Sequence, residues 1–378
     1  MELQSDNILY RVRRVAVIGL TTLVACSCYE KRIHWAPDGQ RAAIILSKNL
    51  FEADDHIQGL YFSDSEGRLS RKLLPKASTV AWFGDSQRLA VATWDKPNGG
   101  LSVARVEDEH LMLGPTLWSD SSEVIDIRIA PGDAHLAFTV GSVDDSRGVS
   151  LFVAPCNGSA PPTVVSRHAA VSPDWSPDGR SLVYFEGTSN RRDEPSLGKL
   201  VRRGVVNEHG KVELAEDLVH LAEVVFFSFA QVRCLRDGRV LFNTAELNFP
   251  FAPVDDEVLP VQLFAIETAR QPTLIRIMTR EAEAKLRQTL WFYEVSPDER
   301  QVLFGTFDGD VYLLTLATGE MKEIYTPQNN RTGAVAPVWR RAGEFTYVKP
   351  ESGVIQWHDG QESELSKDWP REVIDGLD

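Results

Sequence analysis

The stretch Asp174-Trp175-Ser176-Pro177-Asp178-Gly179 is the clearest of seven copies of one short phrase in the chain. The position of Trp175 in this phrase is held, along the chain, by Trp35, Trp82, Ile129, Trp175, Cys234, Val295 and Trp339. Successive copies are therefore 44 to 61 residues apart. A repeat of this period indicates supersecondary units that stack, because one unit alone cannot cover its own apolar faces.

Each copy follows the same local pattern. A short apolar strand ends in a turn such as Pro177-Asp178-Gly179, and a second strand rich in Val, Ile, Leu, Phe and Tyr follows at once. In such a turn proline presets φ, aspartate accepts hydrogen bonds from the backbone ahead, and glycine adopts a positive φ. Two further apolar segments complete most units. Four antiparallel strands per unit predict an all-β fold, a β-propeller of seven four-stranded blades, with six or eight blades or a β-sandwich as alternatives.

The segment from Asp174 to Phe185 resembles the WD40-like repeat of TolB-type propellers. It has Trp-Ser-Pro-Asp-Gly, then a basic residue, then an apolar strand. The second copy departs from the pattern because it lacks Pro and Gly at the usual places, and the seventh retains only Trp339 and Gly343. The resemblance covers residues 33–365 and implies that this whole stretch forms one propeller.

Residues 1–25 resemble the signal peptide of a bacterial lipoprotein. Three arginines precede an apolar core from Val15 to Ala25, which is too short to cross a bilayer as a helix. The stretch Leu23-Val24-Ala25-Cys26 is similar to a lipobox. The resemblance implies that Cys26 is lipidated and becomes the first residue of the mature chain. An ordinary signal peptide followed by a chance cysteine is the alternative.

The boundaries on either side of the propeller follow from this interpretation. Residues 26–32 form a tether, and residues 366–378 form a C-terminal tail. Ser27, rather than an aspartate, follows the cysteine. By resemblance to known sorting signals, this favours the outer membrane over the inner one.

The charge of the chain narrows the range of partners. The chain contains 40 Lys and Arg residues and 54 Asp and Glu residues, which gives a formal net charge of −14. Nucleic acid is disfavoured, because its phosphates would be repelled, and so is attachment of the propeller itself to anionic lipid. The remaining cysteines, Cys28, Cys156 and Cys234, match neither a disulfide framework nor the spacing of a zinc site.

The loops that join second and third strands lie at one face of a propeller, and here they are acidic. We interpret them as a negative rim that attracts a basic segment of an envelope protein, or a divalent cation, with two aromatic residues as anchors. The alternative is that these loops are acidic because the whole chain is. The candidate partner-binding residues are Asp54, Asp55, Asp144, Asp145, Phe249, Phe251, Asp255, Asp256, Glu257, Asp308 and Asp310.

Catalytic motifs are absent from the sequence. It contains no Gly-x-Ser-x-Gly elbow, no His-Glu-x-x-His, no phosphate-binding loop and no Cys-x-x-Cys. His34 lies beside Trp35 on a predicted inner strand, where a buried, hydrogen-bonded histidine is favoured over a channel-facing one.

These observations predict a lipid-anchored envelope propeller that acts as a binding or scaffold module and needs no cofactor. The alternatives are a propeller enzyme of the lyase or lactonase type, with a cation held by acids in the central channel, and a sugar-binding surface protein.

Overall fold

The computed structural model describes residues 31–46, 57–94, 99–107, 110–120, 122–141, 149–169, 172–187, 196–208, 211–226, 230–245, 261–267, 273–279, 282, 290–306, 309–327, 336–349 and 352–377. Within them lie twenty-eight strands and one short helix. The elements are β1 Ile33–Trp35, β2 Arg41–Leu46, β3 Gly59–Asp64, β4 Leu74–Pro75, β5 Ala77–Trp82, β6 Arg88–Thr93, β7 Gly100–Glu107, β8 His110–Ser119, β9 Glu123–Ile129, β10 His135–Gly141, β11 Ser150–Pro155, β12 Thr163–Ser166, β13 Asp174–Trp175, β14 Ser181–Gly187, β15 Ser196–Glu208, β16 Lys211–Phe226, β17 Val232–Cys234, β18 Arg239–Ala245, β19 Val261–Glu267, β20 Thr273–Arg276, β21 Leu290–Val295, β22 Gln301–Thr306, β23 Val311–Thr315, β24 Met321–Tyr325, β25 Val338–Arg341, β26 Glu344–Lys349, β27 Gly353–His358, β28 Gln361–Glu364 and α1 Arg371–Asp375.

The strands form seven blades of four consecutive antiparallel strands, which confirms the all-β, seven-bladed propeller. Blade 1 is β1–β4, and each later blade takes the next four strands in order. Blades 4 and 5 are joined into one eight-stranded sheet by a single pairing, Val225 with Ala245. The 2–3 and blade-to-blade connections leave from one face of the ring, named here the loop face. The 1–2 and 3–4 turns lie at the opposite face, named here the turn face.

Strand β2 shows why each blade needs two neighbours. Ala42, Ile44 and Leu46 pack toward blade 7, whereas Ala43 and Ile45, on the other side of the same strand, pack toward blade 2. This alternation follows from the two-residue period of a β-strand. The buried apolar side chains of the described residues fall into seven clusters, one at each contact between neighbouring blades, named here a seam.

The turn between the first two strands of a blade has the predicted chemistry. In blade 4, Asp178 Oδ1 accepts the backbone N–H of Arg180 at 3.0 Å, and Gly179 has φ of +68°. A Cβ on Gly179 would lie 2.9 Å from the carbonyl oxygen of Pro131 in blade 3, so glycine is required both by its φ and by the neighbouring blade.

Three blades place a residue other than glycine at this positive-φ position, contrary to the expected pattern. Ser86, Asp133 and Glu299 have φ between +57° and +61°. The side chain of each accepts a backbone N–H from the turn of the preceding blade, at 3.0 to 3.1 Å. A left-handed conformation costs roughly 1–2 kcal/mol in a residue with a Cβ, and the bond between blades offsets that cost.

The repeated tryptophans also join neighbouring blades. The indole Nε1 of Trp82, Trp175 and Trp339 donates to a carbonyl oxygen on the inner strand of the preceding blade, at 2.8 to 3.0 Å. A buried indole N–H needs an acceptor, and at these seams the neighbouring blade supplies it. The phrase that identified the repeat therefore holds the blades side by side.

The ring closes without an exchanged strand, because blades 1 and 7 each contain four consecutive strands. The residues after β28 fill the seam instead. Trp369, Val373, Ile374 and Leu377 are buried in one cluster with apolar residues of blades 7 and 1. The indole of Trp369 donates to the Gly67 carbonyl oxygen of blade 1 at 2.6 Å. The C-terminal tail is thus packed into the closing seam.

Candidate functional site at the central channel

The innermost strands of the blades surround a central channel, and one repeated position lines it. This position precedes the tryptophan position in every copy. Its occupants, named here the inner ring, are His34, Ala81, Arg128, Asp174, Arg233, Glu294 and Val338. Five of the seven carry a titratable group.

The two carboxylates of the inner ring bind the backbone of the next blade. Asp174 Oδ2 accepts the N–H of Cys234 at 2.8 Å, and Glu294 Oε2 accepts the N–H of Trp339 at 2.8 Å. The inner strand is the edge of its sheet, so its inward backbone groups have no strand partner. The carboxylates therefore accept hydrogen bonds from backbone N–H groups at the sheet edge that would otherwise face the channel.

The two arginines are also engaged with protein groups. Arg128 Nε donates to the Pro173 carbonyl oxygen at 3.3 Å, and its Nη2 lies 3.2 Å from Asp126 Oδ2. Arg233 Nη1 donates to the carbonyl oxygen of Val232 at 2.7 Å. Its guanidinium carbon lies 6.0 Å from the centre of the Tyr293 ring.

Electrostatic effects couple the inner-ring residues of blades 3 to 6. Burial, and then the positive charge of Arg233, lower the pKa of Arg128. Burial alone would lower the pKa of Arg233, but the surrounding negative charges, above all Asp174, raise it. Burial raises the pKa of Asp174, and the two arginines oppose that shift. Each charge thus depends on those of neighbouring blades.

His34 is hydrogen-bonded, as expected from the sequence, but it lines the channel, whereas the sequence favoured a buried position over a channel-facing one. Its Nε2 lies 2.7 Å from the Lys31 carbonyl oxygen, and the side chain is partly buried. Burial and the nearby Lys31 charge hold the pKa of His34 well below its usual range. The imidazole is therefore neutral at neutral pH.

The charges of this region balance. Lys31 forms an ion pair with Glu294, and Arg128 with Asp126, while Arg233 and Asp174 shift each other's pKa. The four side chains in the two ion pairs are 17% to 25% exposed, so the channel remains accessible. Among the described residues, no three His, Cys, Asp or Glu are grouped in a way that would hold a metal ion. The arrangement is suited to joining blades, because Arg128, Asp174 and Glu294 each hydrogen-bond the backbone of the following blade.

Of the predicted rim residues, Asp310 is the one within the described part of the chain. It lies in the 2–3 connection of blade 6, where Thr306 Oγ1 donates to Asp310 Oδ2 at 3.0 Å and the Asp310 N–H donates to Thr306 Oγ1 at 3.2 Å. The other rim residues, together with Cys26, lie outside the described residues: Asp54, Asp55, Asp144, Asp145, Phe249, Phe251, Asp255, Asp256, Glu257 and Asp308. The strand ends that flank them are all at the loop face.

His34 was predicted from the sequence as a residue of interest, whereas the rest of the inner ring was not. The signal was the column of residues before the tryptophan position, which holds His, Ala, Arg, Asp, Arg, Glu and Val across the copies. Comparing the copies column by column would have shown alternating charges on blades 3 to 6.

Comparisons with known proteins agree with the fold. No protein-family model and no curated protein matches the sequence. The β-propeller domain of the Trilobed protease from Pyrococcus furiosus, which has an open velcro topology, is 12% identical with a TM-score of 0.57, over 91% of this chain and 99% of that domain. The Cps50 (Swd1) propeller domain of Myceliophteria thermophila is 11% identical with a TM-score of 0.50, over 87% of this chain and 96% of that one.

TolB from Acinetobacter baumannii is 11% identical with a TM-score of 0.45, over 88% of this chain and 76% of that one. At these identities a likeness concerns the fold alone. The expected fold is confirmed: the chain is a seven-bladed β-propeller, and its solved structural neighbours include propeller domains with TM-scores of 0.50 and 0.57.

Proposed function

We propose that this protein is a lipid-anchored β-propeller of the bacterial envelope that binds a protein partner through its loop face. The observation that carries the proposal is the engagement of the central charges. The carboxylates of Asp174 and Glu294 and the guanidinium of Arg128 bond to the backbone of the following blade, which suits a rigid scaffold. The acidic loops between second and third strands then remain as the variable surface displayed by that scaffold.

The lipid anchor is supported by the sequence around Cys26. Among the described residues, no helix is long and apolar enough to cross a membrane. The lipobox-like stretch ending at Cys26 would instead provide attachment through acyl chains, and several chains on one residue hold a protein firmly to a bilayer. We place the protein at the outer membrane on the basis of Ser27.

The partner that best fits the loop face is a basic peptide segment of another envelope protein. Asp255, Asp256 and Glu257 form the densest run of acids among the predicted rim residues. Attraction between opposite charges steers a basic segment to such a surface, and added salt weakens that attraction. Phe249 and Phe251, between prolines on the same loop, supply apolar anchors.

A binding measurement with a defined basic probe tests this proposal. Calorimetry would compare a lysine-rich peptide binding to the mature chain and to the D255N, D256N, E257Q triple variant. Neutralising three charges should weaken binding on the order of tenfold at low salt, since each exposed pair contributes up to about 1 kcal/mol.

The matched control neutralises three exposed acids at 3–4 turns of the turn face: Glu66→Gln, Glu320→Gln and Asp359→Asn. It changes the net charge equally but leaves the rim intact. Equal weakening in both triple variants would mean that overall charge, rather than the loop face, attracts the peptide, and would contradict the proposal.

A further inference from the structure

The chain enters the propeller at a fixed point on the loop face. The N–H of Ile45 donates to the Arg32 carbonyl oxygen at 2.8 Å, which places Arg32 beside the end of β2 where that strand reaches the loop face. The Arg32 side chain is 2% exposed, and its guanidinium donates to the Gly376 carbonyl oxygen in the closing seam.

The entry point also lies at the channel rather than at the circumference of the ring. The backbone of Lys31 is held by His34, the inner-ring residue of blade 1. Its ammonium reaches Glu294, the inner-ring residue of blade 6. Contacts with two non-adjacent blades place Lys31 over the mouth of the channel.

The segment between the lipid and this point is short. Five residue-to-residue steps separate Cys26 from Lys31. Even a fully extended chain covers only about 17 Å in five steps. Whatever its conformation, the tether cannot place the channel mouth farther than this from the acylated residue.

Reaching the turn face would need a much longer tether. The chain would have to pass outward over a blade, about 14 Å across three strand spacings, and then about 20 Å down a six-residue strand. That path is about twice the length available. A propeller anchored in this way can tilt, but it cannot present its turn face to the membrane.

We propose that the loop face is held toward the membrane that anchors the protein, an inference that rests on the lipid anchor of the proposed function. The basic segment that binds the rim must then reach into a gap no deeper than about 17 Å at the channel mouth. The partner is therefore a protein whose basic segment lies next to the same membrane. The turn face points away from the bilayer.

Energy transfer from the protein to labelled lipid tests this orientation. The acylated protein, with Cys28→Ser, is reconstituted into phosphatidylcholine vesicles that contain an acceptor dye on the headgroup. Donor dyes are placed on blade 6 at Thr326→Cys, just after β24 at the loop face, or at Thr318→Cys in the 3–4 turn. Both positions are exposed threonines of the same blade. A second pair is Ser352→Cys at the loop face and Ser159→Cys at the turn face.

The native thiols do not compete for the dye. Burial raises the pKa of Cys156 to about 12, and burial together with Asp174 raises the pKa of Cys234 well above its usual range. The thiolate is the form that reacts, so labelling at about pH 7 is confined to the introduced cysteines.

Energy transfer should be at least about twofold stronger from the loop-face labels than from the turn-face labels, because the two sets of labels lie about one strand length apart. A twenty-residue Gly-Ser insertion after residue 28 should bring the two labels to about equal transfer. Such a linker spans about 25 Å on average and far more when extended, which lets the propeller turn over.

Three results are distinguishable. An N-terminal peptide without acyl mass, in a protein that does not float with vesicles, would contradict the lipid anchor and the orientation together. An acylated, floating protein with equal or reversed transfer would overturn the orientation alone. Stronger loop-face transfer that disappears on lengthening the tether would support both.

Discussion

The seam between blades 3 and 4 and the closing seam between blades 7 and 1 solve the same packing problem in different ways. At the first, Trp175 donates to the Arg128 carbonyl oxygen at 3.0 Å, and Gly179 fits closely against Pro131. At the closing seam Trp35 instead donates to Thr346 Oγ1 at 2.9 Å. The guanidinium of Arg340 lies 4.8 Å from the Trp35 ring and donates to the Gly39 carbonyl oxygen at 2.8 Å.

The difference follows from chain connectivity. Blades 3 and 4 are consecutive in sequence, so the backbone keeps them near each other even when their contacts open. Blades 7 and 1 are joined by contacts alone. The closing seam therefore carries a charged side chain stacked on its tryptophan and a buried C-terminal segment. An interface without covalent continuity needs additional stabilising contacts, because opening it increases the conformational entropy of the whole ring.

The largest expected effect comes from emptying the closing seam. Trp369→Ala removes a buried indole and its bond to Gly67, which should reduce the free energy of unfolding by about 3–5 kcal/mol. Urea unfolding followed by circular dichroism measures the loss. The control is Trp94→Ala, which removes a partly exposed indole next to Lys76 and should cost about 1 kcal/mol. Equal losses of unfolding free energy in the two variants would mean that Trp369 in the closing seam contributes no more to stability than the partly exposed Trp94.

The second expected effect concerns the charge held in the same seam. Glu344 is 1% exposed and accepts Arg340 Nη1 at 2.7 Å. Glu344→Gln leaves the buried Arg340 guanidinium without its counter-charge and should lower the free energy of unfolding by about 3 kcal/mol.

The matched acid-to-amide control is Asp375→Asn, in an ion pair with Arg371 whose side chains are more than half exposed. It should change the free energy of unfolding by less than about 1 kcal/mol. A comparable loss in the control would show that the burial of Glu344 is not what matters.

The strands of the blades and the contacts of the closing seam differ in how well they can be predicted from the sequence. The blades and most second and third strands were predictable because apolar residues alternate and turn residues recur at a fixed offset. Strand β8 was missed because Gly114 and Pro115 interrupt it, yet proline is tolerated on the outer edge of a sheet. The long hairpin of β15 and β16 was missed because charged residues break its alternation.

The closing seam was not predictable in this way. The tail around Trp369 shows no period, and its value depends on a partner, Gly67, about three hundred residues earlier in the chain. The inner ring was visible as a column of the repeat, but its bonds link one copy to the next. The partners in these bonds lie in different copies, so the bonds become visible only when neighbouring blades are seen side by side.

A glycine comparison separates seam contacts from backbone strain. Gly179→Ala and Gly238→Ala both place a Cβ at a positive φ, of +68° and +89°, and each should cost about 1 kcal/mol for that reason. A Cβ at residue 179 also meets the Pro131 carbonyl oxygen at 2.9 Å, whereas at residue 238 nothing lies within 4 Å. Urea unfolding should therefore show a further loss of about 1–3 kcal/mol for Gly179→Ala alone. Indistinguishable losses would mean that blade 3 yields to the added methyl group.

The smallest effect is a pH dependence of stability that differs between two histidines whose pKa values are lowered. Burial, then Lys31, lower the pKa of His34 from 6.5, and burial lowers that of His135 in blade 3. Below about pH 6.5 the unfolded chain binds a proton at each position that the folded chain does not. The free energy of unfolding therefore falls as the pH drops, by at most about 1.4 kcal/mol per pH unit and proton.

His34→Gln should reduce the slope of stability against pH between about pH 6.5 and 5 more than His135→Gln does, because the pKa of His34 is lowered further. The exposed His358→Gln serves as the matched control for replacing a histidine by glutamine. Urea midpoints across this range supply the measurement. If His34→Gln kept the wild-type slope, the His34 imidazole would bind a proton as readily in the folded protein as in the unfolded chain, and acid would not weaken the point where the chain enters the ring.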